Sequence, residues 1–576
     1  MRVKITTSTN FKHYSIIQDY KTESGKRSTK VYENIGNYEA LKQRAGNKEP
    51  MKWLNEYVSE LNNEHKTNSV PIIIKKYENK QLEKDYQRLF NGGYLFLQDI
   101  YYKLGLNKIC DEITDRHQFK FDLNSILSRL VYSRILFPAS KLETFKLSTK
   151  FLEQPNFELQ HIYRALEVIC KESDFIQSEL YKNSAKYMSR NNKVLYYDCT
   201  NFFFEIEQED EFRKYGVSKE HRPNPIVQMG LFMDGDGIPL AFSMNPGNTN
   251  EQTTLQPLEK KIIDDFNLST IVVCTDAGLA SKANRKFNDT NTRKFITTQS
   301  IKQLNAELKA WALDKTGWHI PGLEGTVIDI SKLDNNKDLE EMYENMTFYK
   351  ERWIKDKDLE QKIIVTYSLK YKNYQNNIRN SQLARATKLI NSNPKKIGKP
   401  KQNDFKRFIR STTTTKNGEV AEDVSYSLDQ DVILEEMKYD GFYAVCTNLE
   451  DDASVIIKAN HQRWEIEECF RIMKSEFRSR AVYLSREDRI RAHFTTCFIA
   501  LMIFRYLEKK MGDKFTAYEI IDTLREMSFL KEKEGLLPSY TRTDITDLLH
   551  ERFGFRTDFE IVSNKLLQKI FKLTSK

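Results

Sequence analysis

Between residues 193 and 298 the chain alternates apolar runs with helix-like segments in an order that few folds accept. Lys193-Val194-Leu195-Tyr196-Tyr197-Asp198-Cys199-Thr200-Asn201-Phe202-Phe203-Phe204-Glu205 reads as a strand, apolar until Asp198 interrupts it. A polar, basic loop follows at 214–223. Two further apolar runs, 226–233 and 238–244, flank Asp234-Gly235-Asp236-Gly237, and an Asp-Gly pair between apolar runs signals a hairpin. Pro246-Gly247-Asn248-Thr249-Asn250 then leads into a helix starting near Glu251, which delivers the chain to strand Thr270-Ile271-Val272-Val273-Cys274-Thr275-Asp276. A second helix, 279 to about 288, precedes strand Lys294-Phe295-Ile296-Thr297-Thr298. Three strands, helix, strand, helix, strand predicts a mixed α/β layer, with parallel crossovers after an antiparallel hairpin. One acid interrupts the first strand and another ends the fourth.

That order matches a ribonuclease-H-like topology. Residues 300 to about 440 interrupt it. Ile363-Ile364-Val365-Thr366-Tyr367-Ser368 reads as a strand, 371–390 as a basic amphipathic helix, and Asn393-Pro394-Lys395-Lys396-Ile397-Gly398-Lys399-Pro400-Lys401 as a basic broken loop. Further strands are expected at 410–415, 424–428 and 442–447. The expectation is an inserted, β-containing subdomain, after which the α/β layer resumes with one helix over roughly 453–478.

Inside that helix, Trp464, Phe470, Met473 and Phe477 can share an apolar stripe facing a core. At 100° per residue, Glu467 lies about 40° round from Arg463 and Lys474 about 20° back from Glu467. An acid thus shares one narrow face with two cations. Such a face suits a metal-holding carboxylate with phosphate-binding cations beside it; taken alone, the segment reads rather as an exposed helix with spaced ion pairs.

The flanks are simpler. Strand-like runs at 3–7, 13–17 and 30–33, with a turn at Glu23-Ser24-Gly25-Lys26, predict a small β unit, followed by a polar helical stretch at 38–66. From about 80 to 190 short helices dominate, as either a helix-turn-helix DNA reader or a packing domain. The tail, 486–576, reads as helical. Its apolar run beginning at Ile490 is expected to be a buried core helix, too short and too polar at its start for a membrane span. No membrane segment or signal peptide is read. Seven cysteines without a C-x-x-C pair fit reduced thiols and argue against a structural zinc site. The net charge of +9, from 90 basic and 81 acidic residues, is compatible with a polyanionic partner without demanding one.

Phosphodiester chemistry with two hard divalent ions such as Mg²⁺ needs a few carboxylates far apart in sequence and close in space. Asp198, Asp276 and Glu467 are the candidates, with Ser218, Lys219, His221 and Arg222 as candidate phosphate contacts. At these residues the chain resembles a bacterial insertion-sequence DDE transposase of the branch with a β-rich insertion before the last acid. Tyr197-Asp198-Cys199-Thr200 fits the first acid and Val273-Cys274-Thr275-Asp276-Ala277-Gly278 the second. Arg463, Glu467 and Lys474 fit the signature Tyr-x2-Arg-x3-Glu-x6-Lys, whose tyrosine position holds Asn460 here. Gly216-Val217-Ser218-Lys219-Glu220-His221-Arg222-Pro223 resembles a segment common in one subgroup.

The resemblance implies two Mg²⁺ (or Mn²⁺) ions on Asp198, Asp276 and Glu467, hydrolytic nicking at element ends, and transesterification by the freed 3′-OH. It implies DNA contacts from Arg463 and Lys474, with the contact at Asn460 in doubt. The partners would be double-stranded DNA, as terminal inverted repeats and target, and a second copy of the chain. The site of action would be the bacterial cytoplasm. If a hairpin forms at the excised end, an aromatic of the insertion would hold a displaced base; Trp353 is a weak candidate, with ordinary subdomain core as its favoured reading. The alternatives are a catalytically silent DNA-binding descendant, or a nuclease of the same fold without strand transfer. The expected division is 1–70, a small β unit with a helical linker; 71–190, a helical candidate DNA-binding domain; 191–299 and 441–485, the two parts of the ribonuclease-H-like core; 300–440, the insertion; and 486–576, a helical C-terminal region.

Overall fold

The computed structural model describes residues 1–7, 12–21, 27–46, 48–68, 74, 76–266, 268, 270–335, 337–356, 358–392, 404–414, 423–480, 482–512 and 514–576. The chain divides into two compact units, 1–86 and 87–576.

In the first unit, β1 (Arg2–Thr7), β2 (Lys12–Lys21) and β3 (Arg27–Asn37) form an antiparallel sheet in that order. Tyr14, Ile16 and Ile35 form a core with Leu41 of the Tyr38–Ala45 helix and with Leu54 and Val58 of the Pro50–Asn68 helix. Asn37 caps the first of these helices, its side chain accepting the Ala40 N–H at 2.9 Å. The turn expected at Glu23-Ser24-Gly25-Lys26 lies outside the described residues.

The second unit begins with β4 (Leu89–Asn91), then runs through helices between Tyr94 and Tyr187. Five strands follow: β5 (Val194–Phe203), β6 (Ile226–Met233), β7 (Pro239–Pro246), β8 (Ile271–Thr275) and β9 (Arg293–Thr298). The helix Leu255–Phe266 joins β7 to β8, and the helix Lys282–Phe287 joins β8 to β9. β5 is antiparallel to β6 and parallel to β8, which is parallel to β9. The β6–β7 hairpin turns where expected. Gly237 adopts φ +76°, and the buried Asp234 carboxylate pairs with Arg190 at 2.7 Å and accepts the Ile238 N–H at 2.9 Å.

The interrupting stretch supplies β10 (Trp318–Ile320), β11 (Leu323–Ile328), β12 (Phe348–Asp356) and β13 (Leu359–Tyr367). These strands do not form a sheet of their own. β14 (Ile409–Thr414) and β15 (Asp423–Leu428) pair apart, and β16 (Phe442–Thr447) returns antiparallel to both β13 and β9. The result is one ten-stranded mixed sheet in the order β11-β10-β12-β13-β16-β9-β8-β5-β6-β7. The long helix expected at 371–390 spans Leu369–Ser392 and is tied down by an Arg379–Asp440 ion pair. The loop expected at 393–401 lies outside the described residues.

Alternation along β5 sends its side chains to two faces. Leu195, Tyr197 and Cys199 pack with Val273 against Leu255, Leu258 and Ile262 of the Leu255–Phe266 helix. Tyr196 and Phe202 join Cys274 and Ile296 against a helical layer. The axis of that layer is the helix Glu487–Met511, buried continuously over 492–507. It packs on helices Tyr94–Lys103, Leu123–Leu136 and Leu159–Lys171 from before the sheet. By length and composition this helix is long and apolar enough to cross a membrane, contrary to the sequence expectation, but 94% of its apolar window is buried in the protein. The tail is also not wholly helical. β17 (Ser528–Lys531), β18 (Gly535–Pro538) and β19 (Val562–Ser563) form a small sheet with β4. Strands of two to four residues carry too little alternation to be read from a pattern.

Candidate active site

Asp198 shares the face of Tyr196, two residues earlier on β5. The parallel register pairs Tyr196 with Cys274 of β8. Two residues further along each strand, Asp198 comes level with Asp276, the residue that follows β8, with adjacent strands about 4.8 Å apart. Both carboxylates therefore belong to the face that meets the helical layer. The Cys199 N–H donates to Asp198 at 2.7 Å, and the Leu279 N–H to Asp276 at 3.0 Å. Burial raises the Asp198 carboxyl to about 6; the Lys219 ammonium opposes this and the negative charge of Asp276 adds to it.

The loop after β5 brings that lysine in. Asn201, buried on β5, donates to the Val217 carbonyl at 3.0 Å and accepts the Lys219 N–H at 3.3 Å. Lys219 Nζ donates to the Cys199 carbonyl and pairs with Glu251 at 3.4 Å. Burial works against its charge, but Asp198 and Glu251 hold it above the usual ammonium value. Ser218 Oγ accepts the Glu220 and Arg222 N–H groups at 3.3 and 3.2 Å. His221 sits exposed at φ +55°, and the Arg222 guanidinium lies 4.2 Å from the Phe203 ring centroid.

The expected single helix is two. Ala453–His461 ends, and Trp464–Ser475 begins after a break at Gln462 and Arg463. The cause is a side chain inserted into the hydrogen-bond ladder. Tyr196 Oη donates to the Ala459 carbonyl at 2.7 Å, the acceptor that Arg463 N–H would use in a continuous helix. Arg463 N–H bonds Asn460 instead, at 3.2 Å. The core stripe is Ile466, Cys469, Phe470, Ile472 and Met473, with Phe477 beyond the helix end. Trp464, expected in it, is 51% exposed: it begins the same helix and, at 100° per residue, lies about 120° round from Phe470 and about 180° from Met473.

Arg463, largely buried, pairs with Glu467 at 3.8 Å. Burial opposes its charge, while Tyr443, Cys274, Glu467 and Asp198 sustain it. It thus feels both Asp198 and Glu467, and its Nε is buried without a hydrogen-bond partner. Glu467 occupies the first turn of its helix with its side chain 63% exposed. Among the described residues, no three carboxylate, imidazole or thiol groups are gathered closely enough to hold a metal ion. The two aspartates, hard oxygen donors that repel one another, fit a divalent cation. Glu467 is linked to Asp198 through Arg463, whose charge both carboxylates sustain.

Lys474 shares the predicted face but pairs with Glu220, at 3.6 Å, rather than Glu467. Asn460, at the signature's tyrosine position, is 9% exposed and donates to Tyr443 Oη at 3.3 Å, so its amide is spent inside the protein. Tyr443 Oη also meets Thr298 Oγ1 at 2.6 Å. Trp353 is 45% exposed on β12, not in a subdomain core. Tyr196, Glu220, Glu251 and Tyr443 carry no role in the sequence pattern; only Glu220 has a signal, lying in the loop segment that holds Ser218, Lys219, His221 and Arg222.

The family model described as Transposase DDE domain matches residues 193–503, more than half of the chain. No curated protein matches the sequence. Among solved structures, the piggyBac transposase synaptic complex with hairpin DNA aligns over 84% of this chain and 84% of that one, at 10% identity and a TM-score of 0.34. The Mos1 transposase paired-end complex with left transposon end aligns over 41% of this chain and 63% of that one, at 10% identity and a TM-score of 0.13. Scores this low assign no fold, so the assignment rests on the sequence match. The matched span begins just before the Asp198 strand and closes within the helix that backs the sheet, and on it the chain belongs to the transposase DDE domain family.

Proposed function

We propose that the chain is an insertion-sequence transposase of bacterial type. In this reading the core strands β5–β9 with β16 and the helix carrying Glu467 are ribonuclease-H-like, and 300–440 is the insertion before the last acid. The helical segment 71–190 contacts the terminal inverted repeats. The protein works as a homodimer on paired ends, in the cytoplasm on nucleoid DNA. The observation that carries the reading is the level pairing of Asp198 and Asp276 on one sheet face, where the Asp276 charge opposes that of Asp198 and the pair suits a cation.

Asp198 and Asp276 would hold Mg²⁺ or Mn²⁺, two ions in all, with Glu467 as the third ligand. The ions supply activation of the attacking oxygen and neutralisation of the leaving one. The protein's own residues position the DNA. Arg463, with a free buried Nε, is oriented for a phosphate oxygen beside the aspartates. Lys219, His221, Arg222 and Lys474 lie on the loop and helix that border the same face. Water attacks the phosphorus at the element end and breaks its P–O3′ bond, freeing the 3′-OH, which then attacks a target phosphodiester and displaces that strand's 3′-oxygen.

The test is strand transfer by the purified protein on DNA carrying the inverted repeats that flank its gene, with Mg²⁺. Joined products are expected from the wild type and not from Asp276→Asn. Nicked products that are never joined would leave only a nuclease. Wild-type-level joining by Asp276→Asn would remove the site assignment.

A further inference from the structure

One carboxylate beside the proposed DNA-binding face meets more positive charge than it can neutralise. Glu220 Oε2 takes a hydrogen bond from Arg480 at 2.8 Å, and Arg222 approaches the same oxygen at 3.9 Å. Glu220 Oε1 faces Lys474 at 3.6 Å and is buried without a hydrogen-bond partner; Arg480 Nε is in the same condition. Three cations thus surround one acid whose geometry satisfies only one of them well. Burial lowers Lys474 from its usual value, Glu220 alone opposes this, and Arg480 and Lys219 push it further down. A phosphate group, with more acceptor oxygens than a carboxylate, matches such a cluster better.

The cluster also sits where a DNA backbone would pass. The Lys474 ammonium lies 5.7 Å from the ring centroid of Phe202, four residues beyond Asp198 on β5 and so about 13 Å along the strand. Lys474 is seven residues, about 10 Å, along its helix from Glu467. Glu220 rides on the loop that Ser218 and Asn201 fasten to β5, next to His221 in a left-handed conformation.

We propose that Lys474, Arg480 and Arg222 form a phosphate subsite that Glu220 fills with its own carboxylate until a DNA phosphate displaces it. The identification of the phosphate as DNA rests on the transposase reading; the subsite does not. Glu220 therefore acts as an internal counterion that weakens binding to any backbone unable to compete for all three cations.

The test uses the full chain and two probes: inorganic phosphate, at constant ionic strength, followed by thermal shift, and duplex DNA, followed by anisotropy across a salt series. Glu220→Gln is expected to bind both about fivefold more tightly, the equivalent of losing one competing ion pair. Its DNA salt slope should steepen by about 0.9, because the freed cations now release a solution counterion. Adding Lys474→Gln to that variant should abolish the gain, and Arg480→Gln alone should weaken phosphate binding. If Glu220→Gln binds phosphate no tighter than the wild type, or if Arg480→Gln leaves phosphate binding unchanged, Glu220 is a strut and the proposal falls. If the phosphate gain appears but neither protein binds duplex DNA, the subsite stands and the transposase reading fails.

Discussion

At the scale of single residues, the site depends on two aspartates made neighbours by a strand register. Asp198→Asn should lower the cleavage rate about a thousandfold, the loss of ~4 kcal/mol of metal-dependent stabilisation. Its melting temperature without metal should not fall, because burial and Asp276 both work against the Asp198 charge. A drop of several degrees would make Asp198 a structural residue. That the two aspartates stand on neighbouring strands was legible in the sequence, because the strand order puts an acid inside the first strand and another at the end of the fourth. The role of Glu220 was not legible, because its partners, Lys474 on a later helix and Arg480 five residues beyond that helix, come from far along the chain. The surroundings of Asn460 were hidden for a related reason. A signature position says where a residue stands in the sequence, not that Tyr443 and Cys274 have already taken up its amide.

At the scale of elements, the helix break at Gln462 and Arg463 aims Glu467, and nothing local announces it. The segment holds neither proline nor glycine; the cause is the hydroxyl of Tyr196 from a strand. Tyr196→Phe should cost about 1 kcal/mol in stability. It should lower cleavage by more than that cost accounts for, since the two helices can then merge and swing Glu467. Equal cleavage by the variant would show the break to be incidental. The central helix Glu487–Met511 carries a second testable feature. His493 meets Lys141 at 3.4 Å from the neighbouring helix and Cys497 at 3.6 Å on its own, while Arg134 adds positive charge. Burial, then the Arg134 charge, lowers Lys141 to about 7 from its usual 10.5. A depressed amine favours the folded state fully above pH 10.5, and that contribution fades as pH falls to 7. Lys141→Met should therefore stabilise the protein at pH 7, by about 1–3 kcal/mol, with the gain shrinking toward pH 10 in denaturant titrations. A gain constant with pH would mean that packing, not charge, is responsible.

At the scale of the whole molecule, the order of the core strands was readable, whereas the joining of β13 to β16 was not, because long-range pairing leaves no local pattern. That pairing turns an expected subdomain into an extension of the sheet, and it brings Tyr443 of β16 to Asn460 beside Arg463. The chain's positive charge is also unevenly spread. The first 86 residues hold 16 basic and 11 acidic residues, more than half of the +9 excess. A chain beginning at Gln87 should still melt cooperatively, since the second unit has its own core, and should bind duplex DNA with a shallower salt slope. An unchanged slope would place no DNA contact in the first unit. The central claim, that Asp198 and Asp276 share divalent cations with Glu467 as third ligand, is tested most directly by anomalous diffraction from crystals of the DNA complex grown with Mn²⁺. Density for two ions is expected, touching both aspartate carboxylates and Glu467. Mn²⁺ bound elsewhere, or none between Asp198 and Asp276, would contradict the claim.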